Sequence, residues 1–111
     1  MMSLNIHALE SFVKEAKKLH KKYKNLPNDL KELRATLTKN PKAGIELSRH
    51  CYKIRLANSS IPTGKSGGFR IVYYYLGADD NLFLLSIYSK TEMENISDER
   101  LVEILRMNGL S

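Results

Sequence analysis

The chain has 111 residues, and lysine plus arginine outnumber aspartate plus glutamate by 18 to 12, which gives a net charge of +6. This length is enough for one domain with its own core and leaves no room for a separate substrate domain. The single cysteine excludes an internal disulfide, and no apolar run is long enough for a signal peptide or a membrane span. We therefore expect a soluble cytoplasmic protein, whose charge suits RNA, DNA, an anionic membrane or an acidic protein.

The first forty residues predict a short strand followed by two helices. The run from Leu4 to Ala8 alternates weakly, as an opening strand would. Apolar residues then recur at spacings of four, three and four, twice over, which is typical of amphipathic helices. Pro27 suits the first turn of the second helix, and Asn40-Pro41 ends it. The two stripes are Phe12, Ala16, Leu19 and Tyr23, and Leu26, Leu30, Leu33 and Leu37.

After Gly44 the period changes from 3.6 to 2. From Cys51 to Ala57 a strand is predicted, and the runs Phe69 to Leu76 and Leu82 to Tyr88 predict two more, joined by a turn rich in Gly, Asp and Asn. Ser97 suits the N-cap of a last helix that ends near Gly109. The predicted fold is α+β: an N-terminal strand and helical hairpin packed on an antiparallel meander, with a C-terminal helix.

No acidic residue occurs between Glu46 and Asp79. In the predicted strand that opens this window, Tyr52, Ile54 and Leu56 share the core face, while Lys53 and Arg55 face outward. Cations without interleaved carboxylates favour phosphate binding, because each neutralised phosphate releases counterions. The window therefore predicts a nucleic-acid ligand.

The sequence Gly64-Lys65-Ser66 matches the end of a phosphate-binding P-loop, but the rest of that motif is absent. A P-loop requires a glycine where this chain has Ser59, and it requires a helix where this chain has a predicted strand. Nucleotide hydrolysis is therefore not expected, and we interpret the segment as a glycine-rich loop that carries Lys65.

Several sequence elements together resemble the RelE/ParE superfamily of toxins, and within it the RelE and HigB type of type II toxin-antitoxin systems. The resemblance implies a single RelE-like domain over residues 1–111 and an mRNA endonuclease that acts on the ribosome, inhibits translation and is silenced by a cognate antitoxin. Two alternatives remain open: a ParE-like inhibitor of DNA gyrase, and a noncatalytic RNA-binding or corepressor protein. The elements run in order as Asn40-Pro41, Gly44, Tyr52-Lys53-Ile54-Arg55, Gly64-Lys65-Ser66-Gly67-Gly68-Phe69-Arg70-Ile71-Val72-Tyr73-Tyr74, Ile87-Tyr88-Ser89-Lys90, and Glu92.

For such an endonuclease we expect a catalytic set of Arg55, Lys65, Arg70 and Lys90. Attack of a ribose 2′-hydroxyl on the adjacent 3′-phosphate builds negative charge on the phosphorane oxygens, and preorganised cations stabilise it. We assign Arg70 to the scissile phosphate and Arg55 to the same or an adjacent one, because a guanidinium can hold two phosphate oxygens. Glu92 is expected to orient Lys90.

The general base is not singled out by the sequence. Lys53, Lys65 or Lys90 could serve, since neighbouring cations lower a lysine's pKa, and the three histidines are alternatives. Some RelE-type toxins use a tyrosine after the Tyr-x-Lys element, but Thr91 to Ser97 contains none.

Four further residues are predicted to contact RNA. They are Lys53, Tyr88, Lys18 and Lys22. Tyr88 is interpreted as either a core residue or a platform for base stacking, and the lysine-rich first helix as either an RNA or antitoxin contact or a solvated face. The histidines and the cysteine show no metal-ligand spacing, so neither a metal nor any other cofactor is expected.

Overall fold

The computed structural model describes residues 4–62 and 67–110. The order of elements confirms the predicted α+β fold and adds one strand, β2, that the sequence did not predict. In chain order the elements are β1 (Asn5–Ala8), α1 (Glu10–Lys22), α2 (Leu26–Lys39), β2 (Ile45–Ser48), β3 (Cys51–Leu56), β4 (Phe69–Leu76), β5 (Asn81–Ser89) and α3 (Asp98–Met107).

The strands form one five-stranded sheet in the order β1-β5-β4-β3-β2. The predicted meander of β3, β4 and β5 lies in its centre, and all neighbours are antiparallel except β1, which runs parallel to β5. Strand β2 was not predicted because all four of its residues are exposed. It therefore lacks the alternation of buried and exposed residues by which a strand is recognised in a sequence. It exists through its pairing with β3.

The helical hairpin covers one face of the sheet. Both predicted apolar stripes enter a single core cluster on this face, where they pack against Tyr52, Leu56 and Tyr73. Tyr73 also anchors the segment after α2, because its hydroxyl donates to the Pro41 carbonyl at 2.8 Å and accepts from the Gly44 amide at 3.0 Å. The hairpin is thus fixed to the sheet by apolar packing and by a buried tyrosine.

Helix α3 packs on the opposite face, over a second and smaller cluster that includes Cys51, Val72 and Tyr88. Ser97 caps the helix as predicted, since its hydroxyl accepts from the Arg100 amide at 3.1 Å. Gly109, at φ +67°, follows the helix in the left-handed conformation that glycine adopts readily. Within the described ranges no helix is both long and apolar enough to cross a membrane.

Helix α1 completes the edge of β5 that β1 leaves open. Strand β1 pairs only with the first half of β5, and beyond it the side chains of α1 take over. Ser11 Oγ donates to the Leu85 carbonyl at 2.6 Å, and Glu15 Oε1 accepts from Ser86 Oγ at 2.9 Å and from the Ile87 amide at 3.3 Å. Buried backbone groups need such partners. Ser11 and Glu15 therefore satisfy the edge groups of β5 that a neighbouring strand would otherwise satisfy.

Candidate active site

Three residues of the predicted site region stand in one row across the middle of the sheet. Arg55 on β3 is directly opposite Arg70 on β4, and Arg70 is directly opposite Tyr88 on β5. Directly opposed residues of antiparallel strands have Cα atoms about 4.5–5.5 Å apart and project to the same face. The fold therefore places the two arginines side by side on the face that carries α3.

The two arginines differ in their surroundings. Arg55 is exposed and forms no ion pair with any described carboxylate, whereas Arg70 is 4% exposed and donates from Nη1 to the Phe69 carbonyl at 3.2 Å. The pKa of Arg70 is lowered, first by burial and then by the positive charge of Arg55. An anion bound between them would relieve this repulsion, so the pair is suited to hold a phosphate.

Tyr88 is the third residue of the row, and its side chain lies in the smaller cluster beneath α3. Its side chain is 5% exposed, and its hydroxyl makes no hydrogen bond of normal geometry with a described residue. Burial raises the pKa of Tyr88, while the Ile96 backbone and the Arg70 charge oppose that rise. A ring this buried offers no face to a nucleobase. The prediction of a stacking platform is therefore corrected, and its burial supports the alternative of a core residue.

Lys53 lies on the same face as Arg55, one alternation away along β3, as the period-2 pattern predicts. Its Nζ donates to Asn95 Oδ1 at 2.7 Å. Asn95 belongs to the segment between β5 and α3, a stretch without periodicity, so no sequence signal pointed to it. The contact fixes the position of the Lys53 amine beside the arginine row.

The remaining catalytic candidates are Lys65 and Lys90. Lys65 lies outside the described residues. Lys90 follows the end of β5; its backbone amide donates to the Gly68 carbonyl at 3.1 Å and its side chain is exposed. Glu92 does not orient Lys90 as expected, because its carboxylate pairs with Lys22 Nζ at 3.5 Å. That correction reflects how α1 lies beside the segment after β5, which sequence spacing does not reveal.

The two lysines of α1 are exposed and border a cavity of about 480 Å³ that Tyr88 and Met93 also line. Lys18 and Lys22 thus lie next to the row but not in it. Lys22 is engaged by Glu92 and lies over the Tyr23 ring at 5.3 Å from its centroid. Their contact with RNA remains a prediction.

His7 and His50 lie away from the arginine row. His7 on β1 pairs in register with Phe83, on which its ring stacks, and its Nε2 lies 3.0 Å from Oδ1 of Asn81, at the opposite end of β5 from Tyr88. His50 occupies the turn between β2 and β3 at φ 67°. Residues 4–62 and 67–110 contain no group of three His, Cys, Asp or Glu side chains placed to bind a metal. The arrangement can offer an anionic ligand two arginines, Arg55 and Arg70, and one lysine, Lys53, whose amine is held by the side-chain amide of Asn95.

No family model matches the sequence. Among solved structures, the chain is similar to a mutant of the E. coli toxin RelE in the free state, with a TM-score of 0.60 at 20% identity over 96% of this chain and 98% of that one. It is similar to a RelE mutant bound to an antitoxin RelBc peptide, with a TM-score of 0.60 at 22% identity over 92% and 94% of the two chains. It also matches RelE in the intact E. coli RelBE toxin-antitoxin complex, with a TM-score of 0.59 at 22% identity over 78% and 96%.

These likenesses span 94–98% of each RelE chain. The structure therefore has the RelE toxin fold, the fold implied by the sequence resemblance. At 20–22% identity the comparison defines the fold, and the activity must be argued from the residues.

Proposed function

We propose that this protein is the toxin of a type II toxin-antitoxin system and cleaves mRNA on the ribosome, thereby inhibiting translation in the cytoplasm. The observation that carries the proposal is the row of Arg55 and Arg70. Two guanidinium groups stand on neighbouring strands, one exposed and one buried, and Arg55 has no ion pair among the described carboxylates. Such a pair is built for an anion with several oxygens, and the RelE fold makes a phosphate of mRNA the preferred candidate.

In the proposed reaction, the ribose 2′-oxygen loses its proton and attacks the adjacent phosphorus. The bond from phosphorus to the 5′-oxygen then breaks, leaving a 2′,3′-cyclic phosphate and a 5′-hydroxyl that takes up a proton. Arg70 holds the scissile phosphate, and Arg55 stabilises the charge that develops on its oxygens. Lys53, held by Asn95, is one candidate for the proton transfer, with Lys65 and Lys90 as the others.

The proposed partners are mRNA, the ribosome and a cognate antitoxin protein. Two of the similar solved structures contain RelE bound to an antitoxin or to an antitoxin peptide, which supports an antitoxin as the regulator. The basic face supports the RNA, because the positive side chains there lie within a window that lacks acidic residues.

Mapping of mRNA 5′ ends on purified translating ribosomes tests the proposal. We expect discrete cuts within the translated frame, and a rate reduced about 100-fold by Arg55→Ala. Arg55 is the better target than Arg70 because it is exposed, so its loss should not unfold the chain. Arg34→Ala removes another exposed arginine, on α2, and should leave the rate unchanged.

Two results would contradict the proposal. One is intact message with the wild-type protein; continued translation and a DNA-damage response in cells that express it would then favour gyrase inhibition. The other is cleavage by Arg55→Ala at the wild-type rate, which would remove the arginine row from the active site.

A further inference from the structure

The sheet has an open edge beside Arg55. Strand β2 pairs with β3 only between Cys51 and Lys53, so the outer edge of β3 from Ile54 to Leu56 has no neighbouring strand in the described part of the chain. The preceding chain leaves this edge at Gly44, where the backbone approaches so closely that an added Cβ would lie 2.7 Å from the Lys53 carbonyl oxygen. The gap along β3 therefore begins next to Ile45, the first residue of β2.

Both ends of the gap are fixed. At one end the Tyr73 hydroxyl holds the turn at Gly44. At the other end the chain crosses to α2, where the buried Asp29 carboxylate accepts from the Ser59 amide at 3.1 Å and from Ser59 Oγ at 2.6 Å. Between them lies a cavity of about 850 Å³, which we call the edge bay. Helix α2 lines it with Glu32, Leu33 and Thr36, and the other side is lined by residues 53–56 of β3 and by Ala57, which follows the strand.

The backbone of β3 presents hydrogen-bonding groups to the edge bay. The Lys53 carbonyl lies against Gly44, on the β2 side of the strand. Because successive residues of a strand direct their N–H and C=O groups to opposite sides, Arg55 and Ala57 also direct theirs toward the edge bay. An added peptide strand satisfies such groups better than any side chain.

The side chains around the edge bay define the sequence of such a strand. Residues that face α2 would meet Leu33 and Ile54 and would lie beside Glu32, which disfavours acidic side chains there. Residues on the other face would lie beside Arg55 and Lys53, which favour carboxylates. We propose that the edge bay binds an extended segment of a partner protein in which apolar and acidic residues alternate.

A strand bound in this way would place a carboxylate against Arg55 and would compete with a phosphate there. The binding itself does not depend on the proposed nuclease activity, whereas the inhibition of cleavage rests on it. An experiment can therefore disprove peptide binding without disproving the nuclease activity, and the reverse.

The test uses the full chain and three labelled hexapeptides. The first alternates valine and glutamate, the second alternates valine and lysine, and the third is the valine-glutamate peptide with a central proline. Fluorescence anisotropy measures binding, and amide hydrogen exchange reports protection of Arg55 and Ala57. Thr36→Trp fills the edge bay from α2, and Thr38→Trp, on the same helix but outside the cavity lining, is the matched control.

We expect the valine-glutamate peptide to bind, to protect both amides and to lose at least about tenfold in affinity in each of three cases: the lysine peptide, the proline peptide and Thr36→Trp. Thr38→Trp should bind as the wild type does. Equal binding of the proline peptide, or binding insensitive to Thr36→Trp, would overturn the proposal in favour of nonspecific charge attraction. Protection of these amides by a single-stranded RNA oligonucleotide but not by the peptide would also overturn it.

Discussion

Arg55 and Arg70 occupy equivalent positions on adjacent strands, yet only Arg70 is buried. The proposed function therefore gives the two arginines different roles, because a buried guanidinium is held in place whereas an exposed one can adjust to a ligand. Burial also makes the Arg70 charge less favourable, as the lowered pKa shows. At the scale of the residue, the proposed phosphate contact combines one buried and one exposed arginine.

Tyr73 and Tyr88 are buried on neighbouring strands, so the contributions of their hydroxyl groups to stability can be compared. Tyr73 makes two hydrogen bonds with the segment after α2, whereas the Tyr88 hydroxyl makes none of normal geometry with described residues. We expect Tyr73→Phe to lower the free energy of unfolding by about 1–3 kcal/mol, and Tyr88→Phe to leave it unchanged or raise it by up to about 1 kcal/mol. Urea denaturation of both variants measures the difference.

The comparison also tests the role of Tyr88. If Tyr88→Phe loses cleavage activity while it remains as stable as the wild type, the hydroxyl takes part in catalysis and the assignment to the core is wrong. A loss of stability as large as that of Tyr73→Phe would instead reveal a hydrogen bond that the hydroxyl makes in solution.

At the scale of the element, a partly buried carboxylate, Glu15, contributes to the contact between α1 and β5. The pKa of Glu15 is raised, chiefly because burial penalises the charged form, and hydrogen bonds from Ser86 and Ile87 only partly offset this. The folded state therefore holds the proton more tightly than the unfolded chain does. Stability from Glu15 is fully present below the unfolded pKa and is lost as the pH rises through the folded pKa.

Glu15→Gln should remove this dependence on pH. The amide oxygen can still accept from Ser86 and Ile87, but the side chain no longer titrates. We expect the free energy of unfolding of the wild type, minus that of the variant, to be larger at about pH 4 than at about pH 7. Urea denaturation at both pH values measures it, and a difference that grows with pH would contradict the raised pKa.

At the scale of the whole molecule, the central strands are covered on both faces, by the helical hairpin on one and by α3 on the other. Cys51 lies on β3 beneath α3 and is 0% exposed, and burial raises the pKa of its thiol. It therefore reports on the opening of the second core, and both its position and its pKa argue against a nucleophile.

We expect a thiol reagent to modify Cys51 at least about a thousand times more slowly in the native protein than in the unfolded chain, because reaction requires opening of the core. The measurement is the rate of modification with and without urea. The Cys51→Ser, Thr38→Cys double variant places the thiol on the exposed face of α2 and should react rapidly without urea. Rapid reaction of native Cys51 would show that α3 leaves the sheet readily.

The candidate site was predictable only in part, as Lys53 and Asn95 illustrate. Lys53 was found because strand periodicity fixes which face a side chain takes. Asn95 was not found, since its 2.7 Å contact with Lys53 joins segments 42 positions apart in the chain. The pairing of Glu92 with Lys22 was missed for the same reason.

The sequence by itself determined the two helical stripes, the three central strands and the outward direction of Lys53 and Arg55, because all of these follow from periods of 3.6 and 2 along a local segment. Only the tertiary structure decided that Arg55, Arg70 and Tyr88 share one row, that Arg70 is buried beside Arg55, and that the edge of β3 lies open. Strand register and the packing of helices over a sheet depend on contacts between distant segments, and a local pattern carries no record of those contacts.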